Sequence, residues 1–103
     1  VIISPVKLTS PKKIIQVVAE FFDLKEKELL APSRKREIIK PRQIAIYLLR
    51  EELKCSYPFI GKKIGGKDHT TVIHGYTKIC RELSNNERLK EEISLLRQKI
   101  YGF

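Results

Sequence analysis

The adjacent glycines Gly65 and Gly66, with Asp68 close behind them, constrain this chain most. Glycine reaches backbone conformations closed to other residues, so a helix ending there reverses direction without strain. Asp68 is an N-cap residue type standing at the head of a helical pattern. Over residues 68–83 the helical wheel puts Val72, Ile73, Tyr76, Ile79, Cys80 and Leu83 on one stripe. Lys67, Thr70, Thr71, His74, Lys78 and Arg81 fall opposite. A helix with an apolar back and a front of hydroxyls, imidazole and cations suits a nucleic-acid groove. Its first-turn polar groups can read base edges, and its cations can hold phosphates. A short helix over 59–64, the glycine turn and this helix have the lengths and turn chemistry of a helix-turn-helix.

The rest of the chain reads as helices of the same scale. Residues 1–9 mix β-branched side chains with Pro5, show no helical period and read as a linker from a preceding domain. Residues 10–103 then form one domain. Ser10-Pro11 supplies an N-cap followed by a proline at the first helical position. Ile14, Ile15, Val17, Val18, Phe21 and Phe22 follow at helical spacing, and Lys25 to Leu30 makes one or two further turns with Leu29 and Leu30 inward. Residues 31–37 read as an exposed basic loop. Pro41 then opens a helix running to Lys54, with Ile44, Ala45, Leu48, Leu49 and Leu53 as its buried stripe. Tyr57-Pro58 marks a turn. Asn85 or Asn86 caps a last helix whose seam is Leu89, Ile93, Leu96 and Ile100, ended by Gly102. No segment alternates like a strand. The fold class is all-α: a compact bundle of about five or six short helices containing a helix-turn-helix.

Charge placement narrows the class of partner. The chain carries a net charge of +9. Arg34, Lys35, Arg36, Lys40 and Arg42 against Glu37 put +4 into residues 31–42, and Lys62, Lys63, Lys67, Lys78 and Arg81 against Asp68 put +4 into residues 61–81. Clustering of this kind favours a polyanionic partner over a merely solvated surface. Cys55 and Cys80 are too few and too far apart for a disulfide scaffold or a zinc site. With no signal peptide or long apolar run, the expected compartment is reducing and cytoplasmic. The chain contains no methionine and starts at Val1, as a piece of a longer product would.

Several residues admit more than one reading. Gly61-x-x-x-x-Gly66-Lys67 approaches a phosphate-binding P-loop, but Asp68 stands where that motif needs a magnesium-holding hydroxyl, and a helix precedes it in place of a strand. His69 and His74 are five apart, off the three- or four-residue spacing of helical metal ligands, so no metal is expected. His69 is either a core histidine or a first-turn residue projecting towards a base. Asp68 can cap the helix and also accept a hydrogen bond from a cytosine amino group. The hydroxyls and methyls of Thr70 and Thr71 suit a phosphate and a thymine methyl. Arg34, Lys35 and Arg36 form either a solvated loop or an arm that enters an A/T-rich minor groove. Arg42 and Gln43, in the first turn of a helix opened by Pro41, would serve as phosphate clamps. No acid pair, nucleophile–base pair or metal cluster can be assembled, so no enzyme is expected and no catalytic residue is named.

The run Gly65-Gly66-Lys67-Asp68-His69-Thr70-Thr71-Val72-Ile73-His74 resembles the signature of the DnaA-type C-terminal DNA-binding domain of bacterial replication initiators. Pro41-Arg42-Gln43-Ile44-Ala45 and Ile60-Gly61 resemble the same domain at the expected distances, and the similarity runs from about Ser10 to the end. The resemblance implies binding to short asymmetric duplex boxes similar to TTATCCACA at a replication origin. Asp68, His69, Thr70 and Thr71 would then meet bases in the major groove and Arg34 in the minor groove. Arg42, Gln43, Arg50, Pro58, Lys67, His74 and Lys78 would hold the phosphate backbone. It also implies a monomeric isolated domain in a longer, nucleoid-associated protein that self-assembles on DNA. ATP would belong to the motor domain preceding this one, leaving this chain without a cofactor. Acidic phospholipids are a further implied partner. The chain departs from the pattern at Lys67, where the family often has arginine, and at Gly75, where alanine is common; Pro32 and Ser33 thin the basic arm. The competing classes are a repressor or transposase helix-turn-helix, and a basic module that docks an acidic protein or membrane surface.

Overall fold

A computed structural model describes residues 9–102, and every regular element in that range is an α-helix. The expected 1–9 linker therefore lies outside the described residues except for Thr9. Helix α1 spans Pro11–Phe21, and the Ser10 hydroxyl accepts the Lys13 N–H at 3.2 Å, satisfying one of the orphan donors of the first turn. It buries Ile14, Ile15, Val17, Val18 and Ala19. Asp23, at φ 57°, turns the chain into helix α2, Glu26–Leu30. There the Glu28 carboxylate accepts the Lys25 N–H at 2.9 Å. Leu29 is buried and Leu30 half-buried.

Helix α3, Arg36–Leu53, is the post on which most of the other helices pack. It begins five residues earlier than the proline suggested, so Pro41 sits inside the helix and the basic loop shortens to 31–35. Without an N–H, Pro41 forgoes the bond to the Glu37 carbonyl. Such a loss ordinarily costs about 3 kcal/mol in a helix interior. Here Ile38 and Pro41 are both buried, and their burial offsets the missing bond. Residues 44–49 are buried without interruption because α1 and the later helix His69–Leu83 both pack against α3. The expected single stripe thus widens to include Ile46 and Tyr47.

Helix α4, Tyr57–Lys63, also starts earlier than expected. Ser56 caps it through the Phe59 N–H at 3.3 Å, and Pro58 belongs to its first turn, where no N–H is needed. Helix α5 spans His69–Leu83 and helix α6 Glu87–Tyr101. Asn86 caps α6 through the Leu89 N–H at 3.0 Å, and Gly102 ends it in the left-handed conformation. Leu89, Ile93, Leu96 and Ile100 are all buried, as their spacing requires. Glu52 of α3 fastens α6 from outside that seam, accepting from Arg97 Nε at 2.8 Å and from the Tyr101 hydroxyl at 2.6 Å. The Tyr76 hydroxyl of α5 donates to Glu51 at 2.5 Å, and its ring stacks on Tyr47.

Candidate nucleic-acid interface

Helices α4 and α5 and the five-residue turn between them form the helix-turn-helix, and close backbone approaches set its angle. Lys67 N–H donates to the Gly61 carbonyl at 2.9 Å. A Cβ on Gly61 would stand 2.2 Å from the Lys67 carbonyl oxygen, so a side chain there would force the two helices apart. At Gly65, φ is +83° and a Cβ would meet the Leu30 carbonyl oxygen at 2.0 Å. The turn is therefore seated on the end of α2, beside the start of the basic loop.

Asp68 caps α5, its carboxylate accepting the Thr71 N–H at 2.9 Å. That bond to the backbone amide holds the carboxyl below the usual aspartate range. His69, Thr70 and Thr71 are all exposed, so the core-histidine alternative for His69 falls. On the opposite face Val72 and Ile79 are fully buried and Tyr76 and Leu83 half-buried. Gly75 lies on that buried side, where a Cβ would come within 3.2 Å of Ile46 Cδ1. Its small size goes with a close approach of α5 to α3.

The apolar stripe is narrower than the wheel implied. Cys80 is exposed, and Ile73 is 37% exposed. A signal for Ile73 was present in its neighbours four residues away, His69 and Thr77, both polar. Val72, by contrast, has Tyr76 one turn on.

The polar front of α5 faces a groove shared with α3. One cleft of about 450 Å³ is lined by Gln43, Ile73, His74, Thr77, Lys78 and Arg81. An adjoining one of about 420 Å³ is lined by Arg36, Ile39, Lys40, Gln43 and Lys78. Gln43 and Lys78 belong to both. The two basic segments, distant in sequence, thus meet along this groove, and Gln43, His74 and Lys78 come together in it as three of the expected phosphate contacts. Arg81, absent from that expected set, joins them.

Arg42 requires a correction. Its residue is only 8% exposed, and its guanidinium donates through Nε to the Leu29 carbonyl at 3.0 Å, through Nη1 to Ser33 at 2.9 Å and through Nη2 to Ala31 at 2.5 Å. Burial lowers its pKa. Arg42 is an internal tie that fastens the 29–33 segment to α3, not an open phosphate clamp; with α3 beginning at Arg36, it is also past the helix's first turn. Lys40 is likewise engaged, in an ion pair with Glu82 of α5. Arg34, Lys35 and Arg36 remain exposed. The loop behind Arg34 is therefore a tethered one, also closed by Ser33 N–H to the Ala31 carbonyl at 2.8 Å. Arg50 uses Nη1 on the Cys55 carbonyl at 2.9 Å and lies 4.3 Å over the Tyr57 ring, next to exposed Pro58. Lys67 is half-exposed. Among the described residues no group of three or more His, Cys, Asp or Glu side chains could hold a metal, and no helix is long and apolar enough to cross a membrane.

Comparison with known proteins agrees with this geometry. Residues 11–79 match the family model described as the bacterial dnaA protein helix-turn-helix. The chain is 44% identical over 92 residues to the chromosomal replication initiator protein DnaA of Thermomicrobium roseum, which covers 89% of this chain and 20% of that protein. It is 39% identical over 101 residues to the DnaA of Geobacter sp. strain M21, covering 98% of this chain and 22% of the relative. The chain thus spans about a fifth of the length of these relatives. A crystal structure of a DNA replication initiation factor superposes with a TM-score of 0.78 at 27% identity, covering 89% of this chain and 29% of that one. The matched segment takes in the glycine turn, α5 from its Asp68 cap as far as Ile79 and the α3 surface facing it, and the chain belongs to the helix-turn-helix family of the bacterial DnaA protein.

Proposed function

We propose that this domain binds double-stranded DNA sequence-specifically at DnaA-type boxes, as part of replication initiation. The observation that carries the reading is the outward face of α5. Its exposed first-turn residues His69, Thr70 and Thr71 have no packing role, yet they sit where a recognition helix meets base edges. Asp68, exposed at the head of α5, is suited to a cytosine amino group. Phosphates would be held by Gln43, Lys67, His74 and Lys78, with Arg50 near the end of α3 and Pro58 in the first turn of α4. Arg34, carried on its tethered loop, would enter the minor groove.

Fluorescence anisotropy on a TTATCCACA duplex and a scrambled duplex, each at low and high salt, tests this. A preference that persists as salt rises supports base reading, and the log–log slope reports the phosphate contacts. Replacing His69 or Thr70 with Ala should cost roughly 1–3 kcal/mol on the box and little on the scrambled duplex. Equal losses on both would refute base reading. Equal binding to both duplexes, with tight binding to anionic vesicles, would move the reading to a basic docking module. The family match leaves the repressor or transposase alternative without support.

A further inference from the structure

Lys40 stands in the groove between α3 and α5 and yet is not free in it. It lines one cleft with Arg36, Ile39, Gln43 and Lys78, where an ammonium would meet any anion the groove receives. That ammonium is instead paired with the carboxylate of Glu82, near the end of α5. No Asp or Glu lines either cleft, so Glu82 acts on this cationic surface through Lys40. Arg36, Lys78 and Arg81, by contrast, are exposed. The pair differs from an open surface contact. Its members come from two helices, and their side chains are 37% and 27% exposed, so salt screens them less than a fully exposed pair. The frame around it is fixed by packing. Gly75, two turns before Glu82 on the same side of α5, lies against Gln43, one turn after Lys40 on α3. Glu37, exposed three residues before Lys40, offers only a surface contact within one helix, too weak to take the place of Glu82.

We infer that Glu82 is an affinity-setting residue for DNA: by holding Lys40, it keeps one cation of the α3–α5 groove away from the phosphates. The inference rests on the proposed presentation of this groove to a duplex. Phosphate contacts carry no sequence information, so the pair weakens binding to every duplex alike and leaves the preference for the box unchanged. Each phosphate contact releases counterions and steepens the fall of affinity with salt by about 0.9 on a log–log plot. A cation held back is therefore countable.

Salt titrations of the box and the scrambled duplex, with the unaltered chain and its variants, make the count. Glu82→Gln should steepen the slope by about 0.9 and bind both duplexes more tightly, its advantage shrinking about 3.5-fold from ~50 to ~200 mM salt. Glu82→Ala, which leaves the ammonium no acceptor at that position, should do the same. Lys40→Gln should leave the slope of the unaltered chain as it was, and should cancel the gain when combined with Glu82→Gln. Glu91→Gln, at an exposed position of α6 outside both clefts, makes the same change of net charge and should not steepen the slope. That control separates a freed contact from a general gain of charge. A slope unmoved by Glu82→Gln, or lowered by Lys40→Gln alone, would overturn the inference, while a surviving box preference would leave base reading intact. Absence of salt-dependent binding to either duplex would overturn both.

Discussion

Replacing Arg42 with alanine separates an internal tie from a phosphate clamp. The side chain holds three backbone carbonyls, those of Leu29, Ala31 and Ser33. A hydrogen bond with one charged partner is worth about 1.5–3 kcal/mol net when its loss leaves the other partner dry. Only the bond to Leu29 is buried at both ends; Ala31 and Ser33 are half-exposed, and water can replace the arginine there. Taking about 2 kcal/mol for the first and about 0.5 kcal/mol for each of the others, Arg42→Ala should destabilise the domain by about 3 kcal/mol. For a domain of this size that lowers the melting temperature by on the order of 10–20 °C. Arg42→Lys should recover little, since an ammonium cannot span three carbonyls at guanidinium spacing. Differential scanning calorimetry measures the stability, and box binding is measured well below the variant's transition. The slope of log affinity against log salt should stay unchanged, because no phosphate contact is removed. An unaltered melting temperature together with a slope reduced by about 0.9 would refute the tie and restore Arg42 as a clamp.

Gly61→Ala places a methyl 2.2 Å from the Lys67 carbonyl oxygen, and backbone cannot give way cheaply. It should cost about 3 kcal/mol or more in urea unfolding, against about 1–2 kcal/mol for Gly66→Ala, where only the positive φ is at stake. Asp68 has a depressed folded-state pKa, so its capping contribution is present above the unfolded aspartate value near ~3.9 and is lost as pH falls through the folded value. Asp68→Asn keeps an N-cap without the titration, and its melting temperature should fall less than the unaltered chain's on acidification from pH ~5. Tyr101 is pushed up to about 12, first by burial and then by its bond to Glu52. A raised pKa stabilises below the unfolded tyrosine value near ~10 and loses that contribution as pH rises through the folded one. Tyr47 and Tyr76 are raised as well, so ultraviolet titration should show several late-ionising tyrosines, one of which moves to lower pH in Glu52→Gln, and no such movement would refute the coupling.

Much of the fold was legible because its signals are local. Ser10, Asp68 and Asn86 each cap a helix by bonding an N–H three residues on, and Gly102 stops α6 without reference to the rest of the chain. The helix-turn-helix was readable for the same reason, since Gly65, Gly66 and Asp68 specify a turn and a start within four residues. Pro41 and Pro58 misled because a proline's effect depends on where in a helix it falls. Ser56 had already opened α4 ahead of Pro58, and burial of Ile38 carried α3 through Pro41.

The sequence by itself determined the helical class, the capped α5 with its polar front, and the basic balance that calls for a polyanion. Each follows from residue types and short-range periodicity. Only the tertiary structure decided which cations stand free and which apolar groups stay outside. Arg42 is taken by carbonyls 9 to 13 residues away, and Lys40 by a glutamate 42 residues away. Ile73 lies just beyond the strip of α5 that α3 and α4 cover. A charge or a methyl is committed by whatever group packs against it, and for these residues that group comes from another helix.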